Sequence, residues 1–337
     1  MSSLQRIGIV GAGAYGTALA LAAARAGRDV LLFARDAETV AAIRAGREAP
    51  RLPGIVLPET IAASSEAGDL ARADALILAV PTQKLRGACE TLAAILAPGA
   101  ILISAAKGIE QDSGLFTTQV ISDVLPDARS AILSGPSFAA DIGIGLPTAV
   151  TLAATDGVLA ADLAQALSSA SFRIYHSADP RGVEIGGAAK NVFAIAAGIV
   201  VGLGLGESAR AALVARGFAE LRRFGDAFGA QGETLMGLAG LGDVMLSCAS
   251  SQSRNFAFGQ ALGQGAGIAE ASGGKLAEGA FTAGVLARMA REHRIEMPIA
   301  AAVAAIIAGE IRPQDAVTEL LARPIRAETN REDDNGR

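Results

Sequence analysis

Short runs of β-branched and aliphatic residues alternate with longer alanine-rich segments through the first half of the chain, the pattern of βα units laid on a parallel sheet. The runs predict strands at Ile7–Val10, Val30–Phe33, Ala75–Val80, Ile101–Ser104, Ala131–Leu133, Ala149–Leu152 and Phe172–Tyr175. After about Glu184 the alternation stops. Long apolar segments with helical spacing follow, separated by glycine clusters such as Gly202-Leu203-Gly204 and Gly263-Gln264-Gly265. The pattern predicts an α/β N-terminal domain with a parallel sheet over residues 1–184 and an all-α C-terminal domain over residues 185–326. Residues 327–337 are polar and charged without apolar partners, and read as a disordered tail.

One apolar stretch, Val192 to Gly206, is uncharged, but it is shorter than the roughly 20 residues of a membrane span and is interrupted by Gly198, Gly202 and Gly204. It reads as a buried core helix, with no stable membrane insertion. Composition agrees with a globular chain: 337 residues, 51% hydrophobic and 19% charged. The net charge of −5 carries no basic block, which argues against nucleic acid or an anionic surface as partner. Two cysteines, Cys89 and Cys248, and two histidines, His176 and His293, have no metal-ligand spacing, so no metal is expected. The N-terminus enters the first strand without a basic n-region or cleavage site, which points to the cytoplasm.

The first strand runs into Gly11-Ala12-Gly13-Ala14-Tyr15-Gly16, and a helix is predicted at Thr17–Ala26. A GxGxxG between strand and helix is the dinucleotide-binding turn of a Rossmann-type domain: Gly11 for the tight turn, Gly13 for close approach of a pyrophosphate, Gly16 for helix–strand packing. The second strand ends at Phe33-Ala34-Arg35-Asp36, where a ribose-binding group is expected. Arg35 suits a 2′-phosphate and favours NADPH, whereas Asp36 one place later keeps NAD open.

The chain has four lysines, Lys84, Lys107, Lys190 and Lys275, against twenty-five arginines. Where any positive charge would do, this sequence writes arginine. Proton transfer is a role in which arginine cannot substitute for lysine. Lys107 follows the carboxyl end of a predicted strand and Lys190 heads the apolar helix of the second domain, so both are expected at the interdomain cleft. Lys84 and Lys275 read as solvated surface residues.

Taken in order, six segments resemble the bacterial NAD(P)-dependent glycerol-3-phosphate dehydrogenases over nearly the whole chain. They are residues 11–20, Ala106-Lys107-Gly108, Ser134-Gly135-Pro136-Ser137-Phe138-Ala139, Lys190-Asn191-Val192, Gly240-Leu241-Gly242-Asp243 and Gln252-Ser253-Arg254-Asn255. The resemblance implies reduction of dihydroxyacetone phosphate to sn-glycerol 3-phosphate, supplying glycerophospholipid synthesis, by a homodimer. It implies Lys190 as proton donor, with Lys107 and Asp243 catalytic beside it, and Gly135, Ser137, Asn191, Ser253, Arg254 and Asn255 around the substrate. Ala14, Tyr15, Arg35, Lys107, Ala139, Arg254, Leu276 and Glu278 match its cofactor contacts. The chain departs from the pattern at Glu207-Ser208, where Asp-Asn is usual, and at Phe281, where an arginine is common. A β-hydroxyacid-type dehydrogenase is the nearest alternative, and a catalytically idle NADP-binding sensor is the alternative from another class.

Overall fold

The computed structural model describes residues 4–274 and 277–324; Lys275, Leu276 and the segment 327–337 lie outside the described residues. Among the described residues there are ten strands: β1 (Arg6–Val10), β2 (Asp29–Phe33), β3 (Glu48–Ala49), β4 (Leu52–Val56), β5 (Ile61–Ser64), β6 (Ala75–Leu78), β7 (Ile101–Ser104), β8 (Arg129–Ser134), β9 (Thr148–Ala153) and β10 (Phe172–Ser177). Eight of them form one sheet in the order β10-β9-β8-β7-β6-β1-β2-β5, while β3 and β4 make a separate antiparallel pair. The helices on this half are α1 (Ala14–Arg25), α2 (Ala37–Gly46), α3 (Leu85–Ala93), α4 (Thr117–Val124), α5 (Ala139–Ile144) and α6 (Gly157–Leu167).

The central strands are apolar on both faces because helices cover both. Ile7, Ile9, Leu32, Ile77 and Ile103 join one core with the apolar face of α1. The alternate residues Leu76, Leu78 and Leu102 join another with Leu85 and Cys89 of α3 and Val120 and Ile121 of α4. Continuous aliphatic runs are what a sheet buried on both sides requires.

Three expectations need correction. The sheet is not wholly parallel: β9 pairs antiparallel with β8, and β10 runs parallel to β9. The connection from β8 to β9 contains only the six-residue α5, about 9 Å of helix at 1.5 Å per residue. That is too short to return along a strand of about 20 Å, so the chain comes back in the opposite direction. The first helix starts at Ala14, directly after Gly13, three residues earlier than expected. The strand expected at Ala75–Val80 ends at Leu78, and Ala79 turns toward the glycine loop.

The second half is helical: α7 (Pro180–Gly202), α8 (Glu207–Ala227), α9 (Gly232–Met236), α10 (Asp243–Ser247), α11 (Arg254–Gly263), α12 (Ile268–Ala271), α13 (Glu278–Glu292), α14 (Pro298–Ala308) and α15 (Pro313–Leu321). Helix α7 is the axis of this domain, with every residue from Gly182 to Val200 buried. The expected domain division at residues 184/185 falls inside its second turn. Its first turns pack on the sheet, Val183 against Ile132 and Ala153, and its remainder forms the core with Phe224, Phe256 and Leu286. It is long and apolar enough to cross a membrane, with a mean hydropathy of 1.6, but 83% of that window is buried inside the protein.

Gly198, expected to interrupt the apolar stretch, instead lies within α7. A Cβ there would sit 2.1 Å from the Phe256 carbonyl, and one at Gly259 would sit 2.0 Å from that of Ile195. The glycines let α7 and α11 pack backbone to backbone.

Candidate active site

The loops after β1, β6, β7 and β8 meet at the carboxyl ends of the central strands, and the middle of α7 and helices α10, α11 and α13 close over them. The first loop is the glycine turn after β1. Gly11 has φ +116°, and a Cβ on Gly16 would lie 1.9 Å from the Gly11 carbonyl, so strand and helix can approach this closely only with glycine. Gly13 faces open space and is the N-cap of α1, with no side chain capping that helix and no acidic residue in its first turn. The free N–H groups and positive dipole end of a twelve-residue helix therefore face open space, which fits the pyrophosphate of a dinucleotide. Ala14 is the first residue of α1, and Ala139 the first of α5.

The loop after β7 carries Lys107, and that after β8 carries Gly135 and Ser137. The Lys107 ammonium donates to the Gly135 carbonyl at 2.9 Å and to Asp243 Oδ2 at 2.8 Å. It also lies 5.5 Å from the centre of the Tyr15 ring. Lys190, on α7, has its Nζ 3.1 Å from the other oxygen, Asp243 Oδ1. One carboxylate thus bridges two ammonium groups. Asp243 is 1% exposed and Lys190 8%, so these charges stand away from bulk water, where such interactions are strong.

Asp243 reaches this position from a single π turn, Leu238–Gly242, that leads into α10. Such turns are frequent at functional sites. Asp243 is a helical residue, not a cap, and its side chain is committed to the lysines.

Burial alone would raise the Asp243 carboxyl, but the two ammonium groups outweigh it and hold it below the usual carboxylate range. Burial lowers Lys190 from the ordinary lysine value; Asp243 opposes that shift and Lys107 adds to it. A lysine so placed can give up and regain a proton near neutral pH more readily than a surface one. Tyr15 is pushed up to about 12 by burial, so its hydroxyl stays protonated; it lies 3.1 Å from Ser137 Oγ, which donates to the Gly135 carbonyl.

A second network ties the domains together. Asn191 donates through Nδ2 to the Lys107 carbonyl at 2.9 Å, Asn255 Nδ2 donates to Asn191 Oδ1 at 2.8 Å, and the Gly279 N–H donates to Asn255 Oδ1 at 2.9 Å. Ser253 caps α11 by accepting from the Phe256 N–H. Arg254 opens α11, is exposed, and has no ion pair among the described residues. Glu278 Oε1 accepts from the Thr82 N–H at 3.1 Å; burial raises its carboxyl and Arg254 is among the charges that offset this.

Arg35 is exposed just beyond β2. Asp36 beside it caps α2, with Oδ1 accepting from the Glu38 N–H and Oδ2 from the Thr39 N–H and hydroxyl. Lys84 is exposed. Of the two departures, Glu207 pairs with Arg210, which donates to the Cys248 carbonyl at 3.1 Å, and Phe281 stands partly exposed on α13.

Ser247 was absent from the sequence expectations. It is fully buried, its Oγ accepts from Lys190 Nζ at 2.8 Å, and it donates to Asp243 Oδ1 at 3.2 Å. Its spacing of four residues from Asp243 along a helix was the available signal. Thr82 was missed because its contribution is a backbone N–H.

Two family models match the chain in succession: the NAD-dependent glycerol-3-phosphate dehydrogenase N-terminus over residues 6–160 and its C-terminus over 179–318. Among curated proteins, a glycerol-3-phosphate dehydrogenase [NAD(P)+] of Methylobacterium radiotolerans is 59% identical over 98% of this chain and 100% of its own length. One of Bradyrhizobium sp. is 58% identical over 97% and 100%. The crystal structure of glycerol-3-phosphate dehydrogenase from Coxiella burnetii superposes with a TM-score of 0.90 at 38% identity, covering 95% of this chain and 99% of that one. A glycine turn at the head of the first helix, two lysines sharing one buried aspartate and matches across both domains lead to one conclusion: the chain belongs to the NAD-dependent glycerol-3-phosphate dehydrogenase family.

Proposed function

We propose that this protein reduces dihydroxyacetone phosphate to sn-glycerol 3-phosphate with NADPH as its preferred cofactor, as a cytoplasmic homodimer that supplies glycerophospholipid synthesis. The observation that carries the reading is the buried Lys107–Asp243–Lys190 bridge beside the glycine turn. Gly11, Gly13, Ala14, Tyr15 and Gly16 would hold a nicotinamide dinucleotide, which would supply the hydride for the substrate carbonyl carbon. Lys190 gives the proton to the carbonyl oxygen and becomes a neutral amine, a form that burial favours. Lys107, fixed by the Gly135 carbonyl and Asp243, stabilises the negative charge developing on that oxygen. In the reverse direction neutral Lys190 takes the hydroxyl proton.

Arg254 is available for the phosphate, with the N-terminus of the ten-residue α11 beside it. Arg254→Ala is expected to raise KM for the phosphorylated ketone by about 10- to 100-fold, the equivalent of one charge-assisted contact. It should also narrow the preference over unphosphorylated dihydroxyacetone, and lysine at this position should restore only part. Normal KM in Arg254→Ala would assign the phosphate to other residues.

NADPH is favoured because the Asp36 carboxylate already serves α2, which leaves Arg35 as the group for a ribose 2′-phosphate. Arg35→Ala is expected to weaken NADPH about 10- to 100-fold and leave NADH nearly unchanged. Equal losses for both would remove Arg35 from selectivity. The direct test of the whole reading is a parallel assay of dihydroxyacetone phosphate and small oxo acids with each cofactor; turnover of only the oxo acids would overturn it.

A further inference from the structure

Glu184 lies on α7, six residues before Lys190, and no part of the chemistry above uses it. Its side chain is 1% exposed. Oε1 accepts from the Thr118 N–H at 2.7 Å and from the Thr117 hydroxyl at 3.1 Å, both in the first turn of α4. Oε2 has no hydrogen-bond partner, and Arg181 Nε stands 3.7 Å from it. The Arg181 guanidinium in turn lies 3.9 Å from the centre of the Phe116 ring, the residue that precedes α4. Oε2 thus has a long ion pair and no hydrogen bond in a buried site, an arrangement that is costly, so the position does more than fill space.

The segment gripped in this way is the end of the loop that begins at Lys107. That loop closes on itself through the Ile109–Phe116 bridge and the Glu110 N–H donating to the Leu115 carbonyl at 3.0 Å. Its near end is tied to α7 by Asn191 Nδ2 on the Lys107 carbonyl. Glu184 and Asn191 are seven residues apart, two helical turns, and so share one face of α7 about 10 Å apart. The loop is therefore fastened at both ends to one face of the helix that carries Lys190.

On the reading that Lys107 and Lys190 act together on the substrate oxygen, we propose that Glu184 is a positioning residue whose buried carboxylate staples the Lys107 loop to α7 and so fixes the spacing of the two ammonium groups. The staple acts on catalysis because a small displacement of a charged group from the reacting oxygen is expensive in rate. It also has an electrostatic signature. Lys190 faces Asp243 from α10, Lys107 from the loop after β7 and Tyr15 from α1, and its charge is felt by Cys248 and Glu278. Of these, Lys107 is the cation that lowers it, so a Lys107 that drifts away lets Lys190 rise.

The experiment compares Glu184→Leu, Glu184→Gln and the milder Thr117→Val with wild type, using kcat and KM for dihydroxyacetone phosphate across pH and amide hydrogen exchange over residues 109–118. In Glu184→Leu, kcat is expected to fall by about tenfold or more with dinucleotide KM unchanged. The pH limb governed by Lys190 should move upward, and exchange in 109–118 should accelerate. Glu184→Gln, which keeps an acceptor oxygen for Thr117 and Thr118, should restore kcat, the limb and the protection; Thr117→Val should fall between. Unchanged exchange and an unmoved limb in folded Glu184→Leu, or equal impairment in the leucine and glutamine variants, would overturn the proposal. Wild-type protein that fails to reduce the triose phosphate would instead overturn the functional reading, and the exchange data would still decide whether the staple exists.

Discussion

Replacing Lys190 by alanine is expected to abolish nearly all turnover while leaving dinucleotide affinity intact. The ammonium is the group bonded to both Ser247 and Asp243 within the site, and it belongs to α7, not to the glycine turn proposed to hold the cofactor. Removal of a general acid costs roughly 10²–10⁴-fold in rate, and a contact made in the transition state lowers kcat and kcat/KM together. Asp243 keeps Lys107 as a partner in this variant, so the fold should survive. Lys190→Arg is the sharper control. It retains the charge but cannot release a proton near neutral pH, and so should fail to restore turnover. Near wild-type kcat in either variant would remove Lys190 from the proton-transfer step.

The scarcity of lysine made this pair visible in the sequence, whereas the group that joins them was visible only as a motif. Asp243 could equally have been a helix cap after a glycine turn; that it lies 2.8 and 3.1 Å from two ammonium groups depends on a π turn and on packing between elements more than fifty residues apart. The same limit applies to Glu184, whose partners Thr117 and Thr118 come from a separate element, α4, more than sixty residues away. Asn255, which the resemblance set beside the substrate, has its carboxamide bonded to Asn191 and to the Gly279 N–H.

The fold was legible where hydrophobicity carries it. β1, β2 and β7 carry the apolar residues Ile7, Ile9 and Val10, Val30 to Phe33, and Ile101 to Ile103, and α7 from Val192 to Val200 is apolar all round because it is buried all round. β5 escaped notice because Ile61-Ala62-Ala63-Ser64 has one β-branched apolar residue, and β4 because Pro53 and Gly54 read as a turn. The reversal at β9 was invisible for a different reason: an apolar run reports burial, and strand direction is set by the length of the connection before it.

Asp243→Asn should produce the second large effect, in both stability and rate. Asparagine keeps the shape and removes the one charge that two buried ammonium groups share. Stripping one partner from a buried ion pair costs on the order of 3–5 kcal/mol, and a shift of the denaturant midpoint at unchanged slope would read it. The pH consequence has a definite sign. Burial and Lys107 both lower Lys190, and Asp243 opposes them; without that opposition Lys190 falls further and is less protonated at neutral pH. Ketone reduction, which in the proposed mechanism needs the protonated form, should then lose activity from a lower pH upward, whereas alcohol oxidation should keep its neutral amine to lower pH than in wild type. Together with misplacement of Lys107, the loss in the reductive direction is expected to reach about 10²-fold or more. A folded Asp243→Asn enzyme with wild-type pH limbs in both directions would mean that the aspartate does not control the lysine, leaving desolvation alone to poise its proton.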